Sequence, residues 1–298
     1  MNKPTLWVMC GLSGSGKSTI AKQLAQEHEN TVIVSSDSVR EELTGDYENQ
    51  DHNEEVFKIF HKKIRDNLEN NKNVIADATN LTIKSRRATL EHTKGMDIER
   101  ICYIIPKPFA QCKTDNQNRE HPVPNEVLDK QIRRFQVPFM EEGWSNIQIY
   151  NLVERGCIPD IISVCEMEGF DQKNPHHKLD LYTHCKHVYE TFRRNYAYSW
   201  FFASGAFFHD YGKMKTQTFD KDGIAHYFCH SNVGAYQFLT AKYHLSNNVL
   251  DECFVINYHM MPFGWEKATE KTKQRWKKRF GEYKYQMLLN FHECDKAR

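Results

Sequence analysis

The chain has 298 residues, 40% of them hydrophobic and 12% aromatic, with 40 Lys and Arg against 39 Asp and Glu for a net charge of +1. That length suffices for two hydrophobic cores, and the near-neutral balance gives no overall bias toward nucleic acid or anionic surfaces. No stretch approaches the roughly 20 apolar residues that span a bilayer, and the first residues run into an apolar segment that leaves no room for a signal peptide. The nine cysteines, at positions 10, 102, 112, 157, 165, 185, 229, 253 and 294, form no Cys-x-x-Cys pair. A disulfide framework or thiolate zinc site is therefore not expected, and a reducing, cytoplasmic setting is.

Short β-branched runs predict strands at Thr5–Cys10, Thr31–Ser35, 73–76, 100–105 and 147–152. Helical stretches alternate with them, which implies a parallel sheet with helices on both faces. After residue 155 the strand signals fade. Residues 158–175, with Pro159, Gly169 and Pro175, read as a connector, and the apolar spacing over 179–196 and 269–292 predicts helices of an all-α second domain. The expected division is thus 1–155, a connector at 156–175, and 176–298. Ten of the 15 histidines follow residue 150, so metal-type chemistry is expected in the second part.

Residues 11–18 read Gly-Leu-Ser-Gly-Ser-Gly-Lys-Ser. The pattern Gly-x4-Gly-Lys-Ser arises by chance about once in a hundred chains this long, and here it also follows an apolar strand and opens a helix. In that setting backbone N–H groups converge on phosphate oxygens, so Ser13, Gly14, Ser15, Gly16, Lys17, Ser18 and Thr19 are expected to hold a nucleoside triphosphate. Lys17 reaches the β and γ phosphates in such loops, and the Ser18 hydroxyl takes Mg²⁺. The second strand runs into Ser35-Ser36-Asp37-Ser38-Val39-Arg40, which puts a carboxylate and a guanidinium at the ligand-binding edge of the sheet. Asp37 suits a proton acceptor and Arg40 a phosphate holder; the competing reading makes Asp37 the N-cap of a helix starting near Ser38. Asp77, ending the third strand before Ala78-Thr79-Asn80, suits a water-mediated Mg²⁺ contact, or else a turn.

These segments, with the downstream Arg86-Arg87 and the Asn118-Arg119-Glu120-His121-Pro122-Val123-Pro124 run, resemble the kinase domain of phage-type polynucleotide 5′-kinases. The resemblance covers about residues 4–150. It implies a P-loop fold, Asp37 as general base toward a 5′-hydroxyl, Arg40 on the acceptor's phosphate and Arg119 as a lid clamp on the donor phosphates. A second basic lid residue expected four positions before Arg119 is Asp115 here.

The second part carries His184, His209-Asp210, His230, His259 and Asp295, a set suited to one or two divalent transition metals that activate water on phosphate. Apolar 200–208 leading into His209-Asp210-Tyr211-Gly212-Lys213 resembles the HD phosphohydrolase signature, as do the segments around His184, the His230-x3-Gly234-Ala235 run, His259 and Asp295. The resemblance spans about residues 172–298. It implies a first metal site of His184, His209, Asp210 and Asp295, with His230 and His259 on a second metal or the substrate phosphate. Lys213 would neutralise phosphate charge. The metal would be Mn, Ni, Co, Fe or Zn. A core histidine is the alternative for His259; His187 is read as packing, and His176, His177 and His226 as rim residues. The Asp220-Lys221-Asp222-Gly223 run, similar to another phosphatase's nucleophile motif, follows too polar a segment for a buried strand and reads as a tight turn. A basic run around Trp276 (Lys271, Lys273, Arg275, Lys277, Lys278, Arg279) suits a phosphate backbone or a solvated helix face.

Together these residues predict an α/β P-loop kinase domain followed by an all-α HD domain, acting on nucleic acid, RNA or tRNA in particular, with 5′-hydroxyl and 3′-phosphate ends. ATP or another NTP with Mg²⁺ would be the donor, and a separate ligase the downstream partner. The alternatives are a nucleoside kinase fused to a nucleotidase, and a nucleotide-sensing module with a regulatory HD domain.

Overall fold

The computed structural model describes residues 3–46, 49, 51–175, 178–246 and 248–296. His176 and His177, the expected rim histidines, lie outside the described residues. The β-branched runs form β1 (Thr5–Cys10), β2 (Thr31–Ser35), β3 (Asn73–Asp77), β4 (Glu99–Ile104) and β5 (Asn146–Ile149). They pair in parallel in the order β2-β3-β1-β4-β5. The inner strands are apolar on both faces, as a covered parallel sheet requires: Leu6, Val8, Met9, Cys10, Val74, Ile75 and Ala76 are fully buried.

Helices α1 (Lys17–Glu27), α2 (Ser36–Thr44), α3 (Asn53–Glu69), α4 (Ile83–His92), α5 (Phe109–Gln117) and α6 (Asn125–Ile132) link or follow the strands. The crossover after β1 runs to β2 on one side of the sheet and that after β4 to β5 on the other. Ligands of open parallel sheets bind at the carboxyl edge where the strand order reverses in this way.

The second unit contains α7 (Leu181–Asn195), α8 (Trp200–Phe207), α9 (Lys213–Thr216), α10 (His230–Lys242), α11 (Val249–Tyr258), α12 (Met261–Trp265) and α13 (Glu270–Lys296). Its longest helix, α13, breaks at Gly281, where φ is 76°, a backbone region that glycine enters without steric strain. The unit is not all helical. Between α9 and α10 stands a two-stranded antiparallel hairpin, β6 (Thr218–Phe219) and β7 (Ala225–His226). Asp220-Lys221-Asp222-Gly223 is its turn, closed by Asp220 Oδ1 accepting from the Asp222 and Ile224 amides at 2.9 and 3.0 Å.

The units divide the chain differently from the expected single boundary. One comprises 1–128 and 142–155, the other 129–141 and 156–298. Residues 129–141 belong to the second unit because their aromatic residues pack in its core: Phe135 against Tyr236 at 5.0 Å, and Phe139 against Phe254 and Phe280 at 5.4 and 5.3 Å. Asn257 fixes the same segment, its Oδ1 accepting from the Val137 amide at 2.6 Å. The expected connector likewise packs within that unit. Met167 is buried with Leu181, Cys185 and Tyr211, and Ile162 and Phe170 cover them.

In the first unit Arg86 and Glu142 form a two-pronged ion pair, with Nε and Nη2 donating at 2.8 and 2.6 Å and both side chains fully buried. Removing one partner strands a charge in the core. Arg86→Met is expected to destabilise the unit by about 3–5 kcal/mol, and adding Glu142→Met to recover part of that loss, as denaturant unfolding of each variant would measure.

Candidate functional site

The nucleotide loop takes the form its glycines allow. Gly14 and Gly16 have φ of 77° and 90°, and a Cβ on Gly14 would lie 2.2 Å from the Cys112 carbonyl oxygen. The close approach of α5 to the loop therefore requires glycine there. Gly16 precedes the first turn of α1, so amides of that turn point at the loop and favour phosphate. Lys17 is buried and donates Nζ to the Leu12 carbonyl at 2.7 Å. Burial pushes its ammonium below the ordinary lysine pKa, against the pull of Asp77. Ser18 and Thr19 are exposed.

Beside the loop, β2 and β3 run in register with Ser35 opposite Asp77, which sets the α2 N-terminus next to the buried Asp77 carboxylate. The cap of α2 is Ser35, whose hydroxyl accepts from the Ser38 amide at 3.4 Å. Asp37, in the first turn, is exposed and not the cap. Its Oδ1 accepts from Arg40 Nη1 at 3.0 Å, and buried Arg40 donates Nη2 to Asn53 Oδ1 at 3.1 Å. Arg119 is exposed on the loop after α5, which buried Asn116 closes by bonding both the amide and the carbonyl of Val123 at 3.2 and 2.7 Å. Asp115 pairs with Lys107.

The second cluster gathers side chains from five elements. His184 lies on α7, His209 and Asp210 follow α8, His230 opens α10, His259 ends α11, and Asp295 sits in the last turn of α13. All six are buried. Asp210 divides its carboxylate between two imidazole pairs. Its Oδ2 lies 3.5 and 3.2 Å from Nε2 of His184 and His209, and its Oδ1 lies 3.1 and 3.5 Å from Nε2 of His230 and His259. Asp295 Oδ1 adds a second carboxylate to the first pair, at 3.3 and 3.8 Å. Lys213 Nζ meets Asp210 Oδ2 at 2.7 Å and donates to Gln172 Oε1 at 2.8 Å.

Three imidazoles are fixed from behind. His209, His230 and His259 place Nδ1 2.8, 2.9 and 2.8 Å from the carbonyls of Ala206, Tyr227 and Ile256. A carbonyl only accepts, so each Nδ1 carries the proton, and Nε2 of a neutral ring presents a lone pair to the cluster. Yet Nε2 of His230 and His259 lie 3.1 Å apart, and those of His184 and His209 3.3 Å. Facing lone pairs repel unless a cation lies between them. A proton is disfavoured on one of them, since burial pushes the His259 pKa down to about 4. At His184 burial opposes the charged form, but the hydrogen bonds that its Nε2 donates to Asp210 and Asp295 outweigh it and raise the pKa. Both carboxyls are held well below the usual range despite burial, Asp210 by Lys213 and the histidines and Asp295 by its bond with His184 and the charge of His209. Nitrogen and carboxylate donors in this number fit divalent transition metals. Two triads, His184–His209–Asp210 and Asp210–His230–His259, each bring their ligand atoms within 4.8 Å of one another, and Asp210 is common to both.

Glycines permit this convergence. A Cβ on Gly212 would stand 2.1 Å from the His230 carbonyl oxygen and 2.6 Å from the Gly234 amide, and one on Gly205 2.5 Å from the Glu252 carbonyl. The first contact brings His209-Asp210 to His230, and the second brings α8 and α11, hence His209 and His259, together. Gln172, which holds Lys213, was not among the expected site residues. It is 1% exposed in a segment read as a connector, where no periodicity marks it. In the basic run on α13, Trp276 packs on Phe280 at 5.3 Å under the Arg279 guanidinium at 4.4 Å.

Comparison with known proteins bears on the first unit. Residues 6–138 match a family model described as an AAA domain. The glycine loop and the five-stranded parallel sheet fit a P-loop kinase fold. Such a domain uses ATP or another NTP with Mg²⁺. Over 143 residues, 47% of this chain, the sequence is 26% identical to the L-seryl-tRNA(Sec) kinase of Methanococcus maripaludis. The chain spans about half of that relative, 55% of its length. A chain of the Pnkp1/Rnl/Hen1 RNA repair complex is similar with a TM-score of 0.41 and 24% identity, over 45% of this chain and 44% of that one. A gluconokinase from Sinorhizobium meliloti 1021 is similar with a TM-score of 0.37 and 18% identity, over 52% of this chain and 88% of that one. Among the described residues no helix is long and apolar enough to cross a membrane.

Two shared triads predict the metal stoichiometry. Protein loaded with Mn²⁺ and freed of excess ion is expected to hold about two equivalents per chain. His259→Ala should keep about one and Asp210→Ala neither, as elemental analysis of the purified variants would count.

Proposed function

We propose that this chain repairs the ends of broken RNA. The first unit phosphorylates a 5′-hydroxyl, and the second, an HD-type phosphohydrolase, removes a 3′-phosphate or 2′,3′-cyclic phosphate. The observation that carries the second activity is the Asp210 carboxylate shared between two imidazole pairs whose rear nitrogens are already bonded. The observation that supports the first is the exposed Asp37 carboxylate, uncommitted to capping, beside a P-loop. An RNA-borne hydroxyl as acceptor is supported by the similarity to a tRNA kinase.

In the kinase unit Lys17 and the α1 amides stabilise negative charge on the transferring phosphoryl group. Ser18 and Asp77 would hold Mg²⁺, which would supply positive charge to the phosphates of the donor. Asp37 accepts the proton of the 5′-hydroxyl as its oxygen bonds to the γ phosphorus, and the bond to the bridging oxygen breaks to release the nucleoside diphosphate. Arg40, held by Asn53, orients the acceptor strand through its phosphate, and Arg119 closes on the donor.

In the second unit His184, His209, Asp210 and Asp295 would hold one metal and Asp210, His230 and His259 another. Divalent transition metals held there supply Lewis acidity that brings the pKa of water toward neutrality. Lys213, fixed between Asp210 and Gln172, meets the charge of the substrate phosphate. Burial of the whole cluster keeps bulk water from screening these charges. The products, a 5′-phosphate and a 3′-hydroxyl, are the ends a separate ligase joins.

With labelled ATP, the protein is expected to phosphorylate a 5′-hydroxyl RNA in preference to free nucleosides; label on nucleosides alone would replace this reading with nucleotide metabolism. Asp37→Ala should lower transfer by about 10²–10⁴-fold, and unchanged transfer would remove Asp37 as the base. On RNA ending in a 3′-phosphate, metal-loaded protein should release inorganic phosphate and His209→Ala should not. Absence of release by the parent, with changed nucleotide affinity in the variant, would favour a regulatory second unit.

A further inference from the structure

Aromatic side chains around the β6–β7 hairpin have no part in the chemistry above. Phe219 and Phe228 are 53% and 68% exposed. Single exposed apolar side chains are ordinary; what sets Phe228 apart is how it is held and what it adjoins. Phe228 stacks on His226 with ring centroids 5.6 Å apart and planes 8° from parallel, and His226 is held in turn by Asp220 Oδ2, 3.0 Å from its Nε2.

The backbone that carries Phe228 is pinned on both sides. Arg133 Nη1 donates to the Phe228 carbonyl at 3.0 Å. The preceding Tyr227 donates its hydroxyl to the Gln172 carbonyl, and its ring lies 5.3 Å from Lys213 Nζ. Cys229 adopts a left-handed φ of 64°, after which His230 enters the cluster and bonds back to the Tyr227 carbonyl. Tyr227 therefore faces the cluster while Phe228 faces solvent.

The most exposed imidazole of the cluster lies on this side. The His230 side chain is 9% exposed, against 5% for His184, 0% for His209 and 1% for His259. The α-carbons of Phe228 and His230, two trans peptides apart, are separated by at most about 7.6 Å. Cations flank the rings: Arg133 at the Phe228 carbonyl, and Lys173 with Nζ 5.9 Å from the Phe219 ring. A flat aromatic surface bordered by cations, at the mouth of a phosphate-handling site, complements a nucleobase joined to its phosphate.

We propose that Phe228, backed by His226, is the platform on which the terminal nucleobase of the substrate stacks while the adjoining 3′-phosphate enters the histidine–aspartate cluster. The proposal rests on the phosphohydrolase reading of that cluster. It makes the second unit selective for a nucleotide end over a simple phosphate ester.

Two readouts on the full-length, metal-loaded protein test it. In the first, the KM for phosphate release is measured on a short RNA whose 3′-terminal nucleotide carries its base or is abasic, with the parent protein and with Phe228→Ala and Phe228→Trp. Removing the ring or the base should each raise KM about tenfold or more, the loss falling on KM rather than kcat. Removing both should raise KM no further than either alone, and Phe228→Trp should restore the parent value. Multiplicative losses, or no loss in Phe228→Ala, would overturn the platform. In the second, 2-aminopurine replaces the terminal base, and its fluorescence on binding is followed. Quenching by the parent and by Phe228→Trp, lost in Phe228→Ala, supports stacking whether or not phosphate is released. Phe228-dependent quenching without release would sink the phosphohydrolase reading and leave the platform standing; release without that quenching would do the reverse.

Discussion

The second unit is organised around a buried carboxylate, Asp210, shared between two pairs of imidazoles. The paired nitrogens face each other at 3.1 and 3.3 Å, and three of these rings have their other nitrogen committed to a carbonyl. A second carboxylate and one lysine share the same buried volume. Buried charge and opposed lone pairs are retained only where something compensates them. The carbonyl bonds behind the rings matter as much as the ligand atoms. They remove the tautomer in which Nε2 would carry the proton, and they fix each ring before any ion arrives. Ligands from five elements cannot be brought this close by chance packing. The backbones must themselves approach, which is why Gly205, Gly212 and Gly234 stand at contacts where any β-carbon would collide with a neighbouring main chain.

The same physics makes the sequence signature legible. His209-Asp210 and Gly212-Lys213 are close in sequence because one turn presents an imidazole and a carboxylate to the cluster, permits contact with α10 and supplies a cation. The four parts of that turn are visible as a string, whereas their partners arrive from distant helices and are recognisable only by residue type. The P-loop is legible for a similar reason, its glycines being dictated by positive φ and by the proximity of Cys112. All five strands were readable from β-branched runs, the inner β3, β1 and β4 most directly because an inner parallel strand is apolar on both faces.

What the sequence left unread is packing that has no period. Residues 129–141 follow the kinase segment without a break, and only the contacts of Phe135, Val137 and Phe139 assign them to the second unit. Residues 156–175 have the proline and glycine content of a linker, yet Met167 and Gln172 are buried and Gln172 positions the lysine of the cluster. Glu142 is one acidic residue among many until it meets Arg86. The short β6–β7 hairpin, two residues to a strand, falls below what alternation can reveal. Asp37 shows the opposite case. Its competing role as a helix cap was reasonable from sequence, and a start of α2 two residues earlier gives that role to Ser35 instead.

The two sites differ in what their surfaces admit. Around the P-loop, Ser18, Thr19, Asp37 and Arg119 are exposed, while Lys17, Arg40 and Asp77 are buried, so on the proposed reading donor and acceptor would be held partly by groups that solvent also reaches. Such a site depends on binding contacts to exclude water at the moment of transfer. The histidine–aspartate cluster is buried, its imidazoles at most 9% exposed. Under the phosphohydrolase reading proposed above, burial of this degree would favour a phosphate projecting from a chain end over an internal phosphodiester flanked by chain on both sides, before any base is recognised.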